Sequence, residues 1–370
     1  MNRKYRQSGH HGHYGHHGHH RHHHHKKNRK LKVFLIVLAV FVLLVGVGVG
    51  TVAFMMSNGR QKLIAKSQNK SNNSKGLDDT IKVNGVKYKL KDNVINILIM
   101  GIDSKGDIAE KSKVPGEFGQ ADVICVISID TDKKEVNTIN IPRDTMTDIL
   151  TRTKNGAASE VINGQICLQY AYGDGKEKSC KDMLNVVSDV MYKIPINNYA
   201  AVNFDAIPVI NDGIGGVNVT MTDDYTYIDK AYKKGATVVM TGIKAEKFLR
   251  YRDTTVVGSN MQRINRQKDY IKGLLSTIQQ RFKENPTSAL GIIGSIKNNM
   301  ASNISTSEVS YLGSLFASGS YKMQEYKILP GTYQGPTTTE FDEYILDKEK
   351  VYEMILEVFY KKVKWKKKEL

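Results

Sequence analysis

A long apolar run dominates the hydrophobic pattern near the start of the chain. Residues 33–56, VFLIVLAVFVLLVGVGVGTVAFMM, carry no charge over 24 positions. As a helix rising 1.5 Å per residue, the run spans about 36 Å, enough to cross a bilayer with some tilt. It is too long for a signal-peptide core, and no convincing cleavage motif follows it. The pattern therefore predicts an uncleaved, single-pass transmembrane anchor.

The residues that precede this run predict its orientation. KKNRKLK lies directly before it, and the positive-inside tendency places residues 1–32 in the cytoplasm. Everything after about residue 57 is then extracellular. All eleven histidines fall within 10–25. We interpret this tail as low-complexity sequence with weak, adventitious affinity for Zn²⁺ or Ni²⁺, the alternative being a dedicated metal sensor.

Beyond the anchor, the pattern changes from polar to alternating strands and helices. Residues 57–80 are rich in Asn, Ser and Lys and predict a linker. The predicted elements that follow are a hairpin at 81–90, strands at 93–103, 121–130, 135–145, 215–221 and 323–331, and helices at 179–191, 241–252, 260–282, 288–296, 308–317 and 348–362. This order predicts one extracytoplasmic domain, 81–370, of the α/β class, with a layered α-β-α sandwich around a central mixed sheet.

Charge and histidine content narrow the function of this domain. The net charge is +17, but nine Lys/Arg lie in 1–32 and six Lys with one Glu lie in 361–370, which leaves about +3 between these ends. The basic balance therefore indicates membrane-surface or solvated tails and no nucleic-acid partner. The domain has no histidine, which excludes Ser-His-Asp and Cys-His catalysis and His-ligated zinc there. Its chemistry must come from carboxylates, arginines and hydroxyls, with or without a hard metal ion.

The three cysteines leave one question open. Cys125 lies in the apolar stretch DVICVISID and is expected to fill the core. Cys167 and Cys180 lie thirteen positions apart in an oxidising-capable compartment. They either form a disulfide or stay as free thiols.

An arginine cluster is the first candidate for chemistry. RYRDTTVVGSNMQRINRQ holds four arginines and one carboxylate. On a helix, Arg263, Arg266 and Gln267 share one face, whereas Arg250 and Arg252 face the same way only in an extended chain. The alternative is a solvated basic surface. Arginine forks suit phosphate oxygens, so the cluster favours an anion held between guanidinium groups.

Carboxylates at strand ends supply the second half of this site. Asp103 follows one buried strand, Asp122 begins the next, and Arg143 stands beside Asp144 at the end of a third. α/β proteins bind ligands at such strand ends. If the first two strands are not antiparallel neighbours, the loop 104–120 must fold back for the aspartates to share a cation. One or two carboxylates with phosphate oxygens suit Mg²⁺, so these residues predict a Mg²⁺-pyrophosphate site.

The order of motifs resembles the LytR-CpsA-Psr family of cell-envelope proteins. NILIMGID, ADVICVISIDTDKKEVNTINIPRDT, YAYGDG, NFDAIPVINDGIGGVNV and RYR…MQRINRQ follow one another over about 93–272. The resemblance implies an α-β-α sandwich with an apolar tunnel. It also implies a phosphotransferase that moves a glycopolymer, such as teichoic acid or capsule, from polyprenyl pyrophosphate onto peptidoglycan. The small-residue segments 288–296 and 311–316 could form the tunnel or ordinary core helices.

The resemblance also implies roles for individual residues. Asp103 and Asp122 match the metal-associated aspartates, which would hold Mg²⁺ or Mn²⁺. The residues matched to pyrophosphate binding are Arg143, Arg250, Arg252, Arg263 and Gln267, while Arg266 and Asp144 lie inside the same motifs with less defined roles. Asp122, Arg143, Arg250, Arg252 and Arg263 are the residues expected to carry catalysis, and the general base is not evident from the sequence.

Three departures from the family pattern keep other functions open. Gln120 stands where the family usually has arginine, Gln165 where it often has lysine, and GSN replaces an acidic position at 258–260. Each glutamine removes a positive charge from the expected phosphate pocket. The alternatives to a transferase are a non-catalytic polyprenyl-pyrophosphate binder or envelope regulator, and a polyprenyl-pyrophosphate phosphohydrolase.

Overall fold

The computed structural model describes residues 54–66, 80–108, 114–251, 259–284, 288–335 and 341–363. The predicted cytoplasmic tail and nearly all of the predicted anchor lie outside these residues. No helix in the described ranges is long and apolar enough to cross a membrane.

The described chain alternates between strands and helices. The strands are β1 Thr80–Val83, β2 Val86–Leu90, β3 Val94–Ile102, β4 Ala121–Asp130, β5 Glu135–Asn140, β6 Met146–Arg152, β7 Ala158–Gln165, β8 Asn198–Asn203, β9 Val217–Thr220, β10 Thr237–Met240, β11 Met300–Ser302, β12 Lys322–Ile328, β13 Gly331–Gln334, β14 Glu343–Leu346 and β15 Tyr360–Lys362. The helices are α1 (54–66), α2 Leu168–Ala171, α3 Glu177–Val190, α4 Ala206–Gly213, α5 Gly242–Arg250, α6 Ser259–Glu284, α7 Ser288–Ser295, α8 Thr306–Ala317 and α9 Lys348–Phe359.

A six-stranded mixed sheet forms the centre, with strand order β11-β8-β3-β4-β5-β12. β3 pairs parallel with β8 and antiparallel with β4, and β12 pairs parallel with β5. The α/β class and the central mixed sheet predicted from the sequence are therefore confirmed. β3 and β4 are continuous apolar runs because both of their faces are covered.

The two faces of β3 pack against different helices. Leu98 and Met100 join a core that includes Met183 of α3 and Ile355 of α9. On the opposite face, Ile95 joins a cluster with α1 and α8. The period-two alternation of the strand thus divides its apolar side chains between two helical layers.

A separate apolar cluster supports the arginine-rich segment. Val217 and Val219 of β9 pack with Phe248 of α5 and Tyr270 of α6. The antiparallel hairpin β9–β10 therefore fixes α5 and the first turns of α6 relative to each other.

Part of the predicted linker is a packed helix. In α1, Leu63 is fully buried. A Cβ at Gly59 would lie 2.0 Å from the carbonyl oxygen of Ser307, so the two backbones are in close contact. Lys66 forms an ion pair of 2.8 Å with the buried Glu308 of α8. Residues 57–66 thus belong to the folded domain, because their apolar positions, sparse as they are, have a helix to pack on.

Three smaller expectations also meet the structure. The hairpin at 81–90 is confirmed, with Asn84 and Gly85 both at positive φ, as a two-residue turn of this type requires. The helix predicted at 348–362 ends at Phe359, and its last three residues form β15. Cys125, Cys167 and Cys180 are all buried free thiols, so the disulfide that the spacing allowed does not form.

Candidate functional site

The antiparallel pairing of β3 and β4 brings two aspartates together. Ile102 pairs with Ala121, so Asp103, which directly follows β3, and Asp122, the second residue of β4, lie at the same end of the sheet. The backbone N–H of Gln120 donates to the Asp103 carboxylate, which closes the loop between the strands. Burial, and then the neighbouring charge of Asp122, raises the pKa of Asp103. Because β3 and β4 are antiparallel neighbours, the aspartates lie close without the fold-back of loop 104–120 that non-adjacent strands would have required.

Arg143 connects this carboxylate pair to β5. Its guanidinium donates to the Asp122 carboxylate and to the side-chain oxygen of Gln120. Its Nε lies 3.3 Å from Oδ1 of Asp144. Because β5 pairs antiparallel with β4, the turn that follows Asn140 reaches the same sheet edge. Arg143 therefore holds Asp122 in place from below the pocket.

Asp144 lies beside Arg143 and is held by contacts of its own. It is buried, and its Oδ1 lies 3.3 Å from the donating Nε2 of Gln165. Its Oδ2 accepts from the hydroxyl of Tyr333 at 3.2 Å. Gln165 also donates to the carbonyl oxygen of Asp342 at 2.9 Å. Gln165 thus ties β7 to the segment before β14 and makes no contact with the cavity described below.

Two arginines and a glutamine from the helices line the cavity into which the aspartates open. Nη1 of Arg263 on α6 lies 3.9 Å from Oδ2 of Asp122. Arg250, the last residue of α5, pairs with Glu246 at 2.7 Å, and its guanidinium stands 4.3 Å from the ring centre of Phe204. Arg250, Arg263 and Gln267 line the same cavity as Asp103 and Asp122.

Arg266 has a different environment. Its side chain is fully buried and donates to the carbonyl oxygens of Phe248 at 3.1 Å and of Tyr251, and to the hydroxyl of Tyr227 at 2.7 Å. These contacts occupy the guanidinium with the end of α5. The structure thus places Arg266 away from the cavity, and a pyrophosphate contact for this residue has no support in the geometry. Arg252 lies outside the described residues.

The cavity, which we call the main cavity, has a volume of about 470 Å³. It lies between β3–β4 and the helices α4, α5 and α6. Along α6 its lining changes from Arg263 and Gln267 to Tyr270, Ile271 and Leu274, and along β3 from Asp103 back to Ile99. The helical spacing of three and four places these α6 side chains on one face. The main cavity is therefore charged at one end and apolar along the rest.

The apolar wall does not come from the segments that the sequence suggested. None of the described residues of 288–296 or 311–316 lines the main cavity. In α8, Tyr311 and Leu312 pack in the cluster that contains Leu63 of α1 and Ile95 of β3. The described part of α8 thus packs as an ordinary core helix, as the alternative interpretation held.

The carboxylate pair suits a hard cation in combination with phosphate. Asp103 and Asp122 open into one cavity, where burial and then the charge of Asp122 raise the pKa of Asp103, and a cation beside them would relieve this cost of ionising Asp103. No cluster of three or more His, Cys, Asp or Glu exists in the part of the chain that the structure describes. Mg²⁺ needs only one or two protein carboxylates when phosphate oxygens and water complete its shell. The residues therefore fit Mg²⁺ together with an anionic ligand.

Tyr333 and Cys167 contact residues around the site, a role that was not identified from the sequence. Burial and the charge of Asp144 raise the pKa of Tyr333, so its hydroxyl is a fixed donor. Burial also raises the pKa of Cys167 to about 12, and its thiol lies 3.7 Å from the side-chain oxygen of Gln120. Neither has a sequence signal, since Tyr333 reaches the site from a hairpin about 190 positions beyond Asp144.

Comparison with known proteins places this arrangement in a family context. The model of the LytR_cpsA_psr family matches residues 54–358. A curated relative from Bacillus cereus, named polyisoprenyl-teichoic acid–peptidoglycan teichoic acid transferase TagU, is 30% identical over 185 residues, 50% of this chain and 53% of the relative. The chain thus spans about half the length of the curated relatives it matches.

Solved structures share the fold at lower identity. Protein gbs0355 from Streptococcus agalactiae superposes with a TM-score of 0.57 at 21% identity, covering 74% of this chain and 91% of that one. A structure described as TagT bound to LI-WTA superposes with a TM-score of 0.54 at 19% identity, covering 72% and 89%. At these identities the likeness shows the fold.

Proposed function

The chain belongs to the LytR_cpsA_psr family, and on that premise we propose that it transfers a glycopolymer from a polyprenyl-pyrophosphate carrier to peptidoglycan. The TagU relatives are named for this transfer with teichoic acid. We propose teichoic acid as the polymer class, with a capsule-like polysaccharide as the alternative. The predicted anchor at 33–56 would keep the enzyme in the cell membrane, with its catalytic domain outside.

The main cavity is the observation that carries this proposal. Arg250, Arg263 and Gln267 stand at its charged end beside Asp103 and Asp122, and apolar side chains of β3 and α6 form the remainder. A diphosphate attached to a long hydrocarbon chain has the same two parts. Arginine forks bind phosphate oxygens bidentately, and the apolar surface shields the hydrocarbon from water. From Arg263 to Leu274 the helix rises about 17 Å, which gives the apolar part considerable depth.

The charged residues of the main cavity suggest how the transfer proceeds. A sugar hydroxyl of the acceptor attacks the phosphorus that carries the polymer, and the bond to the lipid-bearing phosphate breaks. Polyprenyl phosphate leaves, and the proton of the hydroxyl passes to a carboxylate, for which we assign the pair Asp103 and Asp122. Arg250 and Arg263 stabilise the negative charge that develops on the phosphate oxygens.

Arg143 has a supporting part in this arrangement. The contacts of Arg143 with Asp122 and Gln120 orient the Asp122 carboxylate. They also keep the positive charge of Arg143 near the proposed diphosphate. We propose that Asp103 and Asp122 hold Mg²⁺, or Mn²⁺, which would supply Lewis-acid neutralisation of the diphosphate. At position 120, where the family usually has arginine, Gln120 offers a neutral side-chain oxygen that accepts a hydrogen bond from Arg143.

A reconstituted transfer assay tests the proposal. The full chain in detergent micelles is given a polyprenyl-pyrophosphate-linked polymer, Mg²⁺ and peptidoglycan, and both transferred polymer and released polyprenyl phosphate are measured. We expect transfer, and a loss on the order of a hundredfold or more in Arg263→Ala. Lys272→Ala, which removes an exposed charge from the same helix, is the matched control and should leave the rate unchanged.

The two alternatives give other outcomes in the same assay. Release of polyprenyl phosphate without transfer would identify a phosphohydrolase. Binding of the lipid with neither release nor transfer would identify a binder or regulator, which the neutral side chain of Gln120 beside Arg143 would then explain.

A further inference from the structure

A second cleft lies along β6, the strand that begins just after the Arg143–Asp144 turn. We call it the edge cleft; its volume is also about 470 Å³. Its walls are β6 with one residue of β7, the end of α3, β14 and the start of α9. The described residues that line it include no arginine, so its chemistry differs from that of the phosphate-binding end of the main cavity.

The backbone of β6 is open along this cleft. β6 pairs with β7 on one side, and on the other side the residue just before it, Thr145, forms one isolated bridge with Tyr344 of β14. Further along, the side-chain amide of Gln169 bonds both the N–H and the C=O of Leu150 at that edge. Since strand groups alternate with a period of two, the N–H and C=O of Asp148 point to the same edge. No strand of the described chain covers them there.

Contacts through the β6–β7 ribbon connect the edge cleft to the residues around Arg143. Met146 pairs with Gln165, and Asp148 pairs with Asn163 two positions further. Gln165 in turn contacts Asp144, which lies against Arg143. At about 3.3 Å per residue, Asp148 is about 13 Å along the chain from Asp144. A ligand on this edge would therefore lie within a few sugar or amino-acid units of the diphosphate.

The side chains of the edge cleft suit a polar ligand with apolar faces. Asp148, Asn163 and Thr147 offer hydrogen-bonding groups, and Ile345 and Val351 offer apolar contact. This mixture of a few polar groups on an apolar floor is the usual composition of a ligand site.

A strained turn sets the position of one wall. Tyr192 and Lys193 are consecutive non-glycine residues at φ of 55° and 63°, a conformation that costs about 1–3 kcal/mol each. The hydroxyl of Tyr192 donates to the carbonyl oxygen of Lys348 at 2.8 Å, and its ring packs edge-on against Tyr352. These contacts hold Tyr192 in the lining of the cleft at the start of α9.

We propose that the edge cleft binds the acceptor, through hydrogen bonds between the open edge at Asp148 and an amide of peptidoglycan. A secondary amide offers one donor and one acceptor, which match the C=O and N–H of an unpaired strand edge. Both the N-acetyl groups of the glycan and the peptide stem carry such amides. The inference rests on the proposed function, because it supplies the acceptor site that a transferase requires beside its lipid site.

Binding titrations on the full chain in micelles test the inference. The probes are a peptide-free N-acetylglucosamine–N-acetylmuramic acid oligosaccharide and a free stem peptide. Asp148→Pro removes the edge N–H, and Asp148→Ala removes the carboxylate and keeps the N–H; an edge strand tolerates proline. Asp148→Ala/Asn163→Ala removes the polar side chains. Glu160→Ala, an exposed carboxylate elsewhere on the same ribbon, is the control.

We expect Asp148→Pro to weaken one of the two probes about five- to tenfold relative to Asp148→Ala, the size of one net hydrogen bond. The probe affected identifies whether the glycan or the peptide supplies the amide. The double variant should weaken the same probe, and it decides the matter if Asp148→Pro fails to fold. In the transfer assay, the KM for the acceptor should rise while binding of polyprenyl pyrophosphate stays unchanged.

Unchanged binding of both probes in all variants would overturn the inference. So would wild-type protein that binds polyprenyl pyrophosphate and transfers polymer yet takes neither probe at the cleft. Failure of the proposed function is separate: the wild type would then not transfer polymer, whatever the probes do at Asp148.

Discussion

Arg263 and Arg266 lie one helical turn apart, and the structure predicts opposite consequences when each is replaced by methionine. Methionine keeps much of the apolar stem and removes the guanidinium. Arg263 faces the main cavity beside Asp122, whereas Arg266 bonds the end of α5. We therefore expect Arg263→Met to lose activity and Arg266→Met to lose stability.

The size of the stability loss follows from the contacts of Arg266. Its removal leaves the carbonyl oxygens of Phe248 and Tyr251 without their donor at the end of α5. Tyr227 is 44% exposed, so its hydroxyl can turn to water. An unsatisfied buried acceptor costs about 1–3 kcal/mol, so we expect Arg266→Met to lower the free energy of unfolding by about 3–4 kcal/mol. For Arg263→Met we expect a change of about 1 kcal/mol, because Arg143 still bonds Asp122.

Two measurements on each variant separate these effects. Chemical denaturation gives the free energy of unfolding, and titration with a fluorescent polyprenyl pyrophosphate gives its affinity for the folded protein. Arg263→Met should bind the lipid much more weakly at near wild-type stability. A result in which Arg266→Met unfolds like the wild type but no longer binds the lipid would refute this division of roles.

Three further predictions follow from the packing. Ile207→Trp places a larger side chain in the lining of the main cavity and should weaken binding of long-chain polyprenyl pyrophosphate more than that of a short-chain analogue; equal effects on both would contradict the assignment of the lipid site. Leu63→Ala should lower the free energy of unfolding by about 2–4 kcal/mol, measured by denaturation, because Leu63 is fully buried between α1 and the sheet. Burial acts to raise the pKa of Glu308, but hydrogen bonds from Lys66 and Ser305 outweigh it and lower that pKa. The folded state therefore gains stability from Glu308 above the ordinary value of 4.5 and loses it as the pH falls through the lowered pKa. In unfolding curves, Glu308→Gln should be less stable than the wild type at pH 7, and the difference should shrink on acidification.

The central strands could be predicted because their burial is visible in the sequence. NVINILIMGID and ADVICVISID are continuous apolar runs, as strands covered on both faces are. The hairpin at Asn84-Gly85 could be predicted from its turn chemistry. The positions of Asp103 and Asp122 at strand ends could be predicted together with these strands. Their proximity could not be predicted, because it depends on the antiparallel register between Ile102 and Ala121.

The β6–β7 ribbon could not be predicted in the same way. β7 reads ASEVINGQ and exposes most of its side chains, so its sequence resembles a polar loop. Its strand character depends on pairing with β6, which is tertiary information. The edge cleft was invisible at the sequence level for the same reason.

The residues of α6 show where a periodicity argument needs more precision. At about 100° per residue, Gln267 lies about 40° from Arg263, whereas Arg266 lies about 60° away in the other direction. That difference sends Arg266 to the end of α5 and keeps Gln267 in the cavity. The apolar positions Tyr270, Ile271 and Leu274 continue the same face, and this stripe is a signal in the sequence for the cavity wall.

A crystal structure of the protein with a bound polyprenyl pyrophosphate and Mg²⁺ tests the central claim most directly. We predict diphosphate density between the guanidinium groups of Arg250 and Arg263 and the carboxylates of Asp103 and Asp122, with the hydrocarbon chain running along α6 past Leu274. Density for the diphosphate elsewhere on the protein, with the main cavity filled by water alone, would contradict the account.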